Sequence, residues 1–75
     1  MSLNTDNIRL VFGLKLKQLR LDKSMSLTEL AQRSGLSMSY INEIEKGKKY
    51  PKSDKIVALA EAMGVDYDTL RFAET

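Results

Sequence analysis

An all-α fold is what this chain predicts, and two observations carry the prediction. Apolar residues recur at spacings of three and four along most of its length, and Ser, Gly and Pro residues punctuate it so as to leave five short helices. No stretch supports a strand. The alternation in Phe12-Gly13-Leu14-Lys15-Leu16-Lys17 is embedded in a longer period of about 3.6 residues. At 75 residues the chain has room for one domain.

The first helix is expected from about Asn7 to Asp22, with Ile8, Phe12, Leu16 and Leu19 on its buried face and Thr5 or Asp6 as cap. Gly13 falls inside it and weakens it by about 1 kcal/mol relative to Ala. The second helix begins after Ser26, where Ser26-Leu27-Thr28-Glu29 reads as a capping box, and it stops at Gly35. A third follows at once, with Ser37 as its cap, Ile41 and Ile44 inward, Lys46 in the last turn and Gly47 closing it. Lys48-Lys49-Tyr50-Pro51 is a loop, because Pro51 keeps Tyr50 out of helical geometry. Ser53 is the expected cap of a fourth helix carrying Ile56, Leu59, Ala60 and Met63, which ends at Gly64. Asp66 then caps a last short helix with Tyr67, Leu70 and Phe72. Residues 1–6 are expected to be a flexible tail, with Met1-Ser2-Leu3 open to a vector origin, and residues 7–75 the folded domain.

Composition removes several functional classes. With no Cys there is neither a disulfide nor thiolate-bound zinc, and with no His the usual metal ligand and acid–base group are missing, so neither metal nor cofactor is expected. There is no Gly-rich phosphate loop and no nucleophile beside a base, and Glu43 and Glu45, two apart on a helix, face different ways. An enzyme is therefore not expected. No apolar run approaches the ~20 residues of a membrane span and no secretory signal opens the chain, so a cytoplasmic location is expected. The net charge of +2 says little, but its distribution says more. Five lysines (46, 48, 49, 52 and 55) stand against one acid, Asp54, between Lys46 and Lys55, whereas the segment from Glu61 to Thr75 is acidic. A local basic patch is either a solvated loop or a footprint for a polyanion.

The informative stretch is Ser26 to Gly47. Two short helices joined by a tight Gly turn must cross steeply, which is the geometry of a helix-turn-helix. Ala31 fits the close approach, Leu30, Leu36, Ile41 and Ile44 pack beneath, and the second of the two helices keeps a polar outward face of Met38, Ser39, Asn42, Glu43 and Lys46. The order Leu19-Arg20, Ser26-Leu27-Thr28-Glu29-Leu30-Ala31, Gly35-Leu36-Ser37, Ile41-Asn42-Glu43-Ile44-Glu45-Lys46-Gly47, Pro51 and Leu59-Ala60-Glu61-Ala62-Met63-Gly64-Val65 resembles the lambda-repressor-like, Cro-type helix-turn-helix family, from about Phe12 to Leu70.

The resemblance implies a five-helix bundle whose second and third helices form the motif, binding double-stranded operator DNA as a homodimer in transcription regulation, with the last helix, Leu70 and Phe72, as the expected contact surface between the two chains. It places Met38, Ser39 and Glu43, with Asn42 beside them, toward base edges, and Leu27 where many members carry a supporting Gln. Ser26 with the Leu27 amide, Lys46, Lys48 and Lys49 fall at phosphate-contact positions, and Lys52 continues that basic run. Tyr40 either packs on the second helix or lays its hydroxyl against a phosphate. Arg20 and Glu45 match a partly buried structural ion pair. Departures from the family pattern matter. The base-facing set lacks the Arg, Gln or Lys of the commonest bidentate contacts, and Leu27 has no hydrogen-bonding side chain. Two alternatives stay open: an antitoxin that binds DNA and a toxin protein, and an interaction module that has lost DNA binding. If the chain is part of a longer regulator, a C-terminal ligand or dimerisation domain would follow it.

Overall fold

The computed structural model describes residues 5–71, with side chains from residue 7 onward. Five helices follow in order: α1 (Thr5–Asp22), α2 (Leu27–Ser34), α3 (Met38–Glu45), α4 (Ser53–Met63) and α5 (Tyr67–Arg71). Among the described residues there is no strand. The expected tail at 1–6 falls partly on α1, since Thr5 and Asp6 are already helical and neither precedes the helix as its cap. Phe72 lies outside the described residues.

The caps of the two central helices behave as their side chains dictate. Ser26 precedes α2 in extended geometry, and its hydroxyl accepts the Glu29 amide at 3.0 Å. The Glu29 carboxylate, however, runs forward to Arg33 at 3.0 Å, so the expected box closes on one side only. Gly35 ends α2 with φ of 75°, a conformation that a side chain would strain, and its amide reaches the Ala31 carbonyl. Two residues later Ser37 caps α3 by accepting the Tyr40 amide at 3.1 Å. Lys46 is the C-cap of α3 and not part of its last turn. At α4 the cap position belongs to Lys52, with no side-chain bond; Ser53 is instead the first helical residue.

One core joins all five helices. Phe12 and Leu16 of α1, Leu30 of α2, Ile41 and Ile44 of α3, Leu59 of α4 and Leu70 of α5 are fully buried, and Met25, Ile56, Ala60 and Met63 complete the cluster. Each such side chain contributes about 1.5–3 kcal/mol by leaving water. Ile8 and Leu19 are only half-buried. The remaining leucines of α1, Leu10, Leu14 and Leu21, are exposed, although Leu10 sits directly beside Gly47 just past the end of α3. Gly13 explains its own presence in α1: a Cβ there would stand 2.9 Å from the Glu45 carbonyl oxygen and closer still to that of Ile44. The missing side chain lets α1 cross the last turn of α3 backbone to backbone, so the lost helix propensity is offset by packing.

Candidate nucleic-acid interface

The polar face of α3 is fixed from behind by one arginine. Arg20 of α1, 7 % exposed, donates through Nε to Glu45 Oε2 at 2.7 Å and through Nη2 to Glu45 Oε1 at 3.0 Å, a two-pronged pair. Its Nη1 donates to the Met25 carbonyl at 2.7 Å, in the turn before α2. One guanidinium thus ties the end of α3 and the approach to α2 to the same helix. The hydrogen bonds it donates to Glu45, outweighing the loss of water, raise the Arg20 pKa above its already high ordinary value, so the group is charged under all working conditions.

In front, the sequence-derived candidates separate by place and exposure. Met38, at 46 % exposure, and Ser39 stand at the start of α3 on the solvent side. Asn42 and Glu43 are half-buried one turn further on. Leu27 differs from its expected place: it is half-buried and packs against the core cluster, so its side chain serves α2 more than an open surface. Ser26, Lys46, Lys48, Lys49 and Lys52 are all exposed along the rim, around the α2 start and the segment from α3 to α4. The run of lysines is therefore placed beside the polar face of α3.

Tyr40 is half-buried and packs against the core, while Lys49 Nζ lies 5.6 Å from its ring centroid. Lys49 also pairs with Glu43 Oε1 at 3.1 Å, so two of the candidate residues satisfy each other. Tyr50 anchors its loop by setting its ring edgewise to Phe12, with centroids 5.0 Å apart.

Besides the Lys49 contacts, two further features escaped sequence reasoning. Thr28 donates its hydroxyl to Met38 Sδ at 3.2 Å, a contact between α2 and α3 that steers the thioether. Arg9 of α1 lines a surface concavity of about 420 Å³ together with Ile8, Tyr40, Lys48, Lys49 and Tyr50. Both depend on the helices crossing, and no local spacing announces either.

Two short capped helices around a left-handed glycine, braced by a third and presenting a polar face beside a lysine rim, define a DNA-binding helix-turn-helix regulator. The chain belongs to the helix-turn-helix family designated HTH_3, which matches residues 16–70. It is 45 % identical over 62 residues to the control protein C.BamHI of Bacillus amyloliquefaciens, covering 81 % of this chain and 76 % of that protein. To the HTH-type transcriptional repressor RghR of Bacillus subtilis it is 39 % identical over 62 residues, covering 81 % of this chain but 46 % of the repressor. Among solved structures, the restriction-modification controller protein C.AhdI from Aeromonas hydrophila superposes with a TM-score of 0.80 at 34 % identity, covering 83 % of this chain and 94 % of that one.

Proposed function

We propose that this chain regulates transcription by binding a specific double-stranded operator as a homodimer, with α3 lying in the major groove. The observation that carries the reading is the side-by-side placement of the exposed α3 face and the lysine rim. Met38, Ser39, Asn42 and Glu43 are assigned to base edges. Ser26 with the α2 amides, Lys46, Lys48 and Lys52 are assigned to phosphates, with Tyr40 at the margin between them. The relatives named as a control protein, a controller protein and a repressor support a regulatory role. A cytoplasmic location follows from the DNA target. No observation favours the antitoxin alternative.

The homodimer rests on the family resemblance, and the structure alters where its contact can lie. Leu70, an expected contact residue, is fully buried in the chain's own core. A dimer surface draws on exposed residues instead, and Val57 of α4 is one exposed apolar side chain open to that role. Selection from a random pool of duplexes tests the reading directly. The expected product is a pair of related half-sites about 34 Å apart, one helical turn, or a multiple of it, occupied by two chains. Recovery of no preferred sequence would defeat the proposal.

A further inference from the structure

Glu43 presents a difficulty for any polyanion-binding surface, and Lys49 shows how the chain handles it. Tyr40 and Glu43, three residues apart on α3, share a helix face. The Lys49 ammonium is held by both: 3.1 Å from the Glu43 carboxylate and 5.6 Å from the centre of the Tyr40 ring. The two charged side chains are 52 % and 42 % exposed, so water and other ions reach the pair and it exchanges readily. Lys49 therefore has two competing anionic acceptors when DNA is present, the carboxylate of its own chain and a backbone phosphate. Glu43 has two competing partners as well, Lys49 and the exocyclic amine of a cytosine, which is the donor a carboxylate reads in the major groove.

We propose that Glu43 and Lys49 form an exchange pair that couples base readout to phosphate binding. The proposal rests on the placement of α3 in the major groove. Where the duplex offers a cytosine amine, Glu43 turns to the base and Lys49 moves to a phosphate. Where it offers another base, releasing Lys49 would leave a carboxylate without a partner among phosphates, so the lysine stays. The Tyr40 ring keeps the ammonium close to both destinations, attracting it through the negative face of the ring. A correct base is thus rewarded twice, by its own hydrogen bond and by one added phosphate contact. Lys49 becomes a specificity-determining residue although it never touches a base.

The test is the salt dependence of binding to the duplex selected from the random pool and to a scrambled duplex. Lys49→Gln is compared with wild type, alone and with Glu43→Gln, and Lys48→Gln serves as the control. Each phosphate contact contributes a slope of about 0.9 in log K against log salt. Lys49→Gln should lower the slope by about that amount on the selected duplex and leave it unchanged on the scrambled one. With Glu43→Gln in the background, the same change should lower it on both, because Lys49 no longer has a carboxylate to hold it. Glu43→Gln alone should relax the preference for cytosine at one position. Lys48→Gln should lower both slopes equally. Equal losses from Lys49→Gln on both duplexes would overturn the proposal by making Lys49 an ordinary phosphate contact. Loss on neither would overturn it by making the pair purely architectural, and an unchanged cytosine preference in Glu43→Gln would overturn it too. Failure of the groove placement itself shows differently: Ser39→Ala and Asn42→Ala would then leave the base preference of the wild type unchanged.

Discussion

The two sides of α3 are built on opposite rules. Behind it, Ile41 and Ile44 are fully buried, Gly13 brings α1 to touching distance, and Glu45 is held by two hydrogen bonds from a guanidinium that is itself almost out of water. In front, Met38 and Ser39 are exposed, and Glu43 has an exposed lysine for a partner. No buried side-chain nitrogen or oxygen among the described residues lacks a partner. The comparison teaches that an eight-residue helix carries two nearly separate instructions, one for stability and one for recognition, written on alternating sides. Substitutions on the two sides should therefore fail in different ways.

The largest effect is expected from Arg20→Ala. It strands Glu45 in a site 5 % exposed and leaves the Met25 carbonyl unpaired, so the domain should lose about 3 kcal/mol or more, read by thermal or denaturant unfolding. A variant that melts like wild type while losing only DNA affinity would move Arg20 to the front of the molecule and break the comparison. Gly13→Ala comes next. Overpacking against two backbone carbonyls falls at the upper end of about 1–3 kcal/mol, and helix propensity offsets about 1 kcal/mol of it, so the net loss should be about 1–2 kcal/mol. An unchanged or raised melting temperature would show that α1 and α3 are free to part.

Smaller effects belong to the front. Asn42→Ala and Ser39→Ala should each change preference at one or two base pairs, by about 1 kcal/mol or somewhat more, with stability and salt slope nearly unchanged. Lys48→Gln should give the mildest change, a salt slope lower by about 0.9 and weaker binding to every sequence alike. A base-preference shift from Lys48→Gln, with none from Ser39→Ala or Asn42→Ala, would take α3 out of the major groove.

The sign of the pH effect can also be fixed at the back. The folded-state pKa of Arg20 is raised, so its contribution is complete below the ordinary arginine value and fades only as pH climbs through the folded one. Neutral and acid conditions leave the guanidinium charge untouched. Alkaline loss of stability at moderate pH, in a melting series, would have to arise elsewhere.

Most of the fold was legible because it rests on local chemistry. Ser26, Ser37, Gly35 and Gly64 mark helix ends by means that involve only neighbouring residues, the serines through their hydroxyls and the glycines through the left-handed backbone that a missing side chain permits. The errors arose where two local partners compete or where distant segments meet. Glu29 had both the Ser26 amide and Arg33 within reach, and the ion pair took it. Leu70 looked like a surface residue on a terminal helix, yet the bundle closes over it. The Arg20–Glu45 pair, separated by 25 residues, was reachable only through family resemblance. The Lys49–Glu43 contact was not reached at all, since a loop lysine gives no sign of which acid it will fold back upon.

The arginine brace also bears on the heat of recognition. Arg20 fixes the end of α3 and the turn leading into α2 before any DNA arrives, so little of the motif is left to order during the encounter. Binding accompanied by folding shows a heat-capacity change far larger than the contact area explains. Here the calorimetric signature should instead be that of one rigid surface meeting another, with the heat capacity set by the groove surface covered and the water released from it. The entropy of arranging α2 against α3 has already been settled in folding the monomer.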